Sequence, residues 1–383
     1  MNSVSFMRTT KARTSGRSKR KIRYAVVGLG HIAQVAVLPA FAHAAENCEL
    51  AALVTDDRKK AKQLSKKYRV PLSFSYDLYN ECLHSGEIDA VYIAQPNSMH
   101  HTYAMSALEA GIHVLCEKPL AIDEAQCVSM IDAAAQSGAK LMTAYRLHFD
   151  KANLEAMEIV RSGKLGNPRF FASTFGLQVR PGNIRLKRDL GGGPLWDLGV
   201  YCVNAARYLF RDEPEEVFAA EATSPDSRFR EVEESVSAIL RFPEARLASF
   251  TCSFGSGDVS AYEIVGSKGR LQADPAYEYA EGLRFTVTIE GKSREYKFGK
   301  SDQFAAELIY FSNCILKNRE PEPSGEEGLA DVRIIRALYR SMETGQPVKV
   351  EPVKKKKRPS VEQEIRRPPV EKPDLVRAKS ASS

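Results

Sequence analysis

A strand, a glycine turn and a helix stand together near the start of the chain, and they constrain the fold of everything after them. Ile22-Arg23-Tyr24-Ala25-Val26-Val27 is a β run, Gly28-Leu29-Gly30-His31-Ile32-Ala33 comes directly after it, and an apolar helix-like stretch continues to about Ala45. G-x-G-x-x-A between a strand and a helix is the pattern of a dinucleotide site. Gly28 makes the tight turn, Gly30 lets a pyrophosphate approach the backbone, and Ala33 lets helix and strand pack closely. His31 and Ile32 lie inside the turn and are expected beside the cofactor.

The segments after this turn alternate. A second strand, Glu49 to Val54, ends in Thr55-Asp56-Asp57-Arg58-Lys59-Lys60. Helical patterns over Arg58–Tyr68, Thr102–Ala110 and Glu124–Ser137 are interleaved with strand runs at Asp89–Ala94, His113–Cys116 and Lys140–Tyr145. This alternation predicts a doubly wound parallel sheet, a Rossmann domain over 22–145. The strand His113–Cys116 runs straight into Glu117-Lys118-Pro119. A lysine there points into the crevice where open α/β sheets take ligands. A surface Lys-Pro turn is the plainer reading of that tripeptide taken alone.

After Tyr145 the pattern changes. One amphipathic helix, Lys151–Ser162, precedes strand-like runs at Arg169–Leu177, Glu216–Thr223, Ser235–Phe242, Arg246–Phe254, Tyr262–Val265 and Arg284–Thr288. Successive strands without helices between them predict an open, mainly antiparallel sheet. Helices over Gln303–Lys317 and Gly328–Thr344 close this second, α+β domain, placed at 146–350. The expected class is α/β: a Rossmann domain plus a substrate-binding and oligomerisation domain.

Charge separates the body from its ends. Residues 1–23 and 352–383 together hold 18 Lys/Arg against 4 acids, so of a net +7 the body 24–351 keeps −7. An acidic body argues against nucleic acid as its partner. The basic arm 1–21 has no apolar core of a secretory signal. The Pro- and charge-rich tail 351–383 is expected to be disordered and solvated. Seven scattered cysteines show neither a C-x-x-C pair nor a metal spacing, so the expectation is reduced thiols, a cytoplasmic protein and no metal. No apolar run is long enough for a membrane span.

Gly28–Ala33, Pro96-Asn97-x-x-His100 and Glu117-Lys118-Pro119 occur in order and at familiar separations. With 144–150, 185–193, 196–201 and 324–333 they make the chain, from about Ile22 to Lys349, resemble the Gfo/Idh/MocA family of NAD(P)-dependent oxidoreductases, nearest its glucose–fructose oxidoreductase branch. That resemblance implies a sugar substrate, a nicotinamide cofactor and a dimer or tetramer built on the second sheet. It implies Lys118, Asp197 and Tyr201 as the catalytic set, with Tyr145 and Arg185 also at the sugar. It implies Thr55, Asp56, Lys60, Pro96, Asn97, His100, Glu117, Tyr145 and Arg146 around the cofactor, beside the glycine turn. Many relatives carry His where this chain has Tyr201, which points from inositol toward aldoses. The branch's export signal is missing here. A non-catalytic sensor of the same fold is the alternative.

Asp197 and Tyr201 are i and i+4, so a helix sets them on one face. Free tyrosine has a pKa of about 10, and a lysine cation beside it favours the phenolate. Tyr201 is therefore expected as general base and Lys118 as its electrostatic partner, with the reverse assignment left open. For the cofactor, Asp56 favours NAD, whereas Thr55, Lys59 and Lys60 favour the 2′-phosphate of NADP. The balance tips to NADP, with Asp56 turned outward to solvent or paired with Arg58.

Overall fold

The computed structural model describes residues 20–353 and 357–382. The arm proposed for 1–21 lies almost wholly outside the described residues. The first sheet contains β1 (Ile22–Val27), β2 (Cys48–Val54), β3 (Leu72–Phe74), β4 (Ala90–Ile93), β5 (His113–Glu117) and β6 (Leu141–Ala144). All are parallel, in the order β3-β2-β1-β4-β5-β6. Every residue of β4 is buried, as a strand covered by helices on both faces requires. The helices are α1 (Leu38–His43), α2 (Arg58–Tyr68), α3 (Tyr79–His84), α4 (His100–Glu109) and α5 (Glu124–Ser137). A π-helical turn, Ala33–Val37, leads into α1, so the helix ends slightly before Ala45.

The order reverses between β1 and β4, and the carboxyl ends of these two strands open a crevice. Gly28 sits in it with φ +89°. A Cβ there would come within 2.6 Å of the Ala94 carbonyl oxygen, so the turn requires glycine.

The second unit begins with α6 (Lys151–Arg161) and β7 (Pro168–Gly176) and continues through α7 (Val200–Phe210), β8 (Glu216–Ala222), β9 (Ser235–Phe242), β10 (Arg246–Ser253), β11 (Val259–Gly266), β12 (Gly269–Ala273), β13 (Arg284–Ile289), β14 (Lys292–Lys297), α8 (Gln303–Leu316), α9 (Gly325–Thr344) and β15 (Val348–Lys349). Its strands lie in the order β14-β13-β12-β11-β7-β10-β9-β8-β15. β7 and β10 pair in parallel, and the other described pairs are antiparallel. β9 alternates strictly: Val236, Ala238, Leu240 and Phe242 are buried under α7 and α9, while Ile239 between them is 50% exposed. Phe170, Phe218 and Leu247 are exposed on neighbouring strands, with Phe218 opposite Ile239 and Leu247 opposite Phe170. α8 does not cover this sheet. It returns to the first one, where the Ser312 hydroxyl meets Tyr24 Oη at 2.7 Å.

Beneath the second sheet lies an ionic cluster. The fully buried Arg207 of α7 donates to Glu213 (2.6 Å), to Glu327 (2.9 Å) and to Asp331, the last two on α9. Asn204 donates to both α9 carboxylates. All seven cysteines are free and buried.

The tail departs from expectation. Residues 357–382 are not a solvated coil but lie along the body. Arg358 reaches Glu213 at 2.8 Å, Gln363 donates to the Glu322 carbonyl at 2.8 Å, Arg367 reaches Glu46 at 2.6 Å and Arg377 reaches Asp57 at 2.6 Å. The physical reason is complementarity: a cationic segment meets an acidic body, and its prolines hold it extended, which lowers the entropy lost on docking.

Candidate active site

Lys118 follows β5 directly, and the Lys118–Pro119 bond is cis. His100, at the start of α4, is buried with both ring nitrogens on backbone carbonyls, Pro119 O at 2.8 Å and Gln95 O at 3.0 Å. The resemblance puts it beside the nicotinamide ribose. Its ring bridges the Gln95 and Pro119 loops at the crevice floor. Asn97 donates to the Gly191 carbonyl at 2.8 Å and so ties the crevice to the second unit. Gly191 has φ +73°, and a Cβ there would lie 2.8 Å from Asn97 Cβ.

From the second unit comes a π-helical turn, Leu195–Gly199, that continues into α7. It carries Asp197, and Tyr201 follows on the next turn, as the i, i+4 spacing requires. Asp197 is gripped by two cations. Lys118 Nζ lies 3.1 Å from Oδ1 and 2.8 Å from the Asp197 carbonyl oxygen, and Arg185 Nε lies 2.6 Å from Oδ2. Burial alone would raise the Asp197 pKa; Arg185 and Lys118 overcome it and hold the carboxyl well below the usual range. Burial likewise works against the charge on Lys118, but Tyr201, Asp197 and Glu117 outweigh it and hold its pKa above the ordinary lysine value. The charged form of Lys118 is thus the favoured one beside Asp197 and Tyr201. The neighbouring Glu117 accepts from Tyr92 Oη at 2.9 Å, and burial raises its pKa against the pull of Lys118.

Tyr201 sits between cations. Lys118 Nζ stands 4.6 Å from the ring centroid, and Arg146 Nη2 donates to the hydroxyl at 3.2 Å. Arg146 is buried behind Tyr201. It donates to the Tyr277 carbonyl at 2.5 Å and to Gln303, so its fork is used up inside the protein. The hydroxyl of Tyr145 is buried and donates to Asp331 at 2.5 Å, while its ring stacks on His148.

The crevice fits a dinucleotide. A Cβ built at Gly30 meets nothing within 4 Å, so the turn leaves open space where a pyrophosphate would lie, and His31 and Ile32 beside it are part-exposed. At the end of β2, Thr55 is buried and Asp56 is turned aside, its Oδ1 accepting from the Tyr76 backbone N–H at 2.8 Å. Asp57 caps α2 by accepting from the Lys60 backbone N–H at 3.0 Å. One Asp56 oxygen is thus taken by backbone rather than facing the site. Pro96 begins the β4 loop and is part-exposed. Among the described residues no group of three or more His, Cys, Asp or Glu could hold a metal ion.

Sequence reasoning missed Tyr277 and Gln303, which set Arg146, and Gln34, Lys372 and Arg377 at the nucleotide end. Gln34, directly after Ala33, does carry a signal, because it is a polar residue on a helix face that should be apolar. The others carry no local signal.

A family profile described as an oxidoreductase family with an NAD-binding Rossmann fold matches residues 22–145, and the family's C-terminal domain matches 153–272. The chain belongs to the Gfo/Idh/MocA family. Within this family it is 30% identical to a D-xylose 1-dehydrogenase [NADP(+)] from Haloarcula marismortui, over 86% of this chain and 93% of the relative. A solved aldose-aldose oxidoreductase from Caulobacter crescentus, complexed with glycerol, is 38% identical with a TM-score of 0.83, covering 86% of this chain and all of the other. A 3-ketoreductase from Actinomadura kijaniata, solved with NADP and TDP-benzene, is 27% identical with a TM-score of 0.77 over 84% of this chain and 98% of its own.

Proposed function

We propose that this Gfo/Idh/MocA protein is an NADP-dependent sugar oxidoreductase acting on a CH–OH group, with Tyr201 as the proton acceptor. The observation that carries the assignment is the doubly clamped Asp197 carboxylate beneath Tyr201. It fixes Lys118 as a cation over the phenol ring, and Arg146 supplies a second cation at the hydroxyl. Positive charge on both sides favours negative charge building on the Tyr201 oxygen as it takes a sugar hydroxyl proton. Arg185 and Asp197 present a donor and an acceptor for neighbouring sugar hydroxyls. A bound nicotinamide would supply the hydride acceptor for the carbon that carries the hydroxyl. Gly28, Gly30, His31, Ile32, Thr55, Lys60, Pro96 and Asn97 would hold it, with Glu117 beneath.

Sugar dehydrogenase relatives support the substrate class. Residues 22–145 are assigned to the cofactor and 146–350 to substrate and oligomer. A second copy is assigned to the exposed face of the large sheet, where Phe170, Phe218, Ile239 and Leu247 stand uncovered. Seven free, buried thiols support a reducing, cytoplasmic setting.

The test is turnover with an aldose beside fluorescence titration of NADP. Tyr201→Phe and Lys118→Ala should each lower kcat by about 10²–10⁴-fold while NADP affinity stays within a few-fold. Near wild-type turnover in both would overturn the assignment.

A further inference from the structure

The end of the chain runs across the nucleotide end of the crevice. Lys67 of α2 donates to the Asp374 carbonyl at 3.0 Å. Gln34 then holds Val376 reciprocally: its Nε2 donates to the Val376 carbonyl at 2.9 Å, and the Val376 N–H donates to its Oε1 at 2.7 Å. Gln34 is 1% exposed, and the same Nε2 also donates to the Leu29 carbonyl inside the glycine turn at 2.9 Å. Past Arg377 the segment crosses to the second unit. There the Arg180 N–H donates to the Ala381 carbonyl at 3.0 Å, on the loop that leads to Arg185. Lys372 also stands close enough to His31 to add to the lowering of its pKa, behind burial and Arg185.

Arg377 occupies an informative position. Its Nε lies 2.6 Å from Asp57 Oδ2, at the end of β2, where the adenine ribose of a dinucleotide rests in this topology. Asp57 would repel a 2′-phosphate; Arg377 neutralises it through one corner of its fork and leaves both Nη groups for an anion. The Arg377 side chain is 59% exposed, so those groups are accessible. Asp57 caps the N-terminus of α2 at the same spot through the Lys60 N–H, and Asp56 Oδ1 is held by the Tyr76 N–H.

We propose that residues 372–381 form the outer wall of the dinucleotide site, with Arg377 as the cation that selects the 2′-phosphate. This rests on the reading of the protein as an NADP-dependent oxidoreductase and adds a segment far from the glycine turn in sequence. The strap binds both units, so it must lift for the nucleotide to exchange.

Fluorescence titration of the full chain with NADP and with NAD tests this, in wild type, Arg377→Ala and Val376→Pro, the last removing the N–H that donates to Gln34. Arg377→Ala should weaken NADP about ten-fold and leave NAD within about two-fold. Val376→Pro should speed NADP release by a similar factor in stopped-flow displacement. Equal effects of Arg377→Ala on both cofactors, or none, overturn the selective role. Tighter binding in either variant overturns the wall and makes the strap a plug. If wild type binds neither cofactor, the oxidoreductase reading fails together with this one, and that outcome is distinct from unchanged variants in a binding-competent wild type.

Discussion

Asp197 joins what two separate units bring. Lys118 comes from the first sheet and Arg185 from a loop of the second unit, and the carboxylate between them is 19% exposed. Its pKa is depressed in the fold, so its stabilisation is full above the ordinary carboxyl value of about 3.9 and is lost as pH falls through the folded value. Asp197→Asn leaves two cations facing each other. The variant should therefore unfold at lower denaturant than wild type near neutral pH, and the gap should close as the pH drops toward about 2. Denaturant midpoints at several pH values check this; a gap independent of pH would mean that packing, not charge, sets the loss.

At the scale of elements, α7 and α9 are joined by the Arg207 cluster rather than by apolar contact alone. Arg207→Met leaves Glu327 and Asp331 buried without that cation and should cost roughly 3–5 kcal/mol in urea unfolding. A loss under about 1 kcal/mol would show that the carboxylates take up protons instead. This cluster is invisible in the sequence, because its members are spread from Asn204 to Asp331 and only the fold brings them together. The legible parts obey local rules. The β1–turn–α1 fingerprint, the alternation over 22–145 and the period-two pattern of β9 each dictate their own geometry. The i, i+4 pair Asp197 and Tyr201 is legible for the same reason. The hydrogen-bond partners of Tyr145, Arg146 and His100 are not legible, because Asp331, Gln303 and the Pro119 carbonyl come from other segments. Short strands β3, β12 and β14 escape it too, since they are too short or too polar to stand out from a loop.

For the molecule as a whole, the contact between copies proposed for the uncovered face of the large sheet can be tested by charge. Phe218→Glu with Ile239→Glu puts like charges on adjacent strands of that face without touching the buried one. The variant should sediment as a monomer at micromolar concentration while binding NADP as wild type does. If its mass matches the wild type, the contact between copies lies elsewhere. The seven cysteines add a further consequence. They are spread over β2, α3, β5, α5, α7, β10 and α8, so nearly every layer carries one. Burial pushes the thiols of Cys48, Cys82, Cys127 and Cys202 up to about 12, so the closed molecule offers an alkylating reagent neither access nor thiolate. Each labelled sulfur then records an opening of the layer that held it, and the chain carries its own dosimeter of transient unfolding.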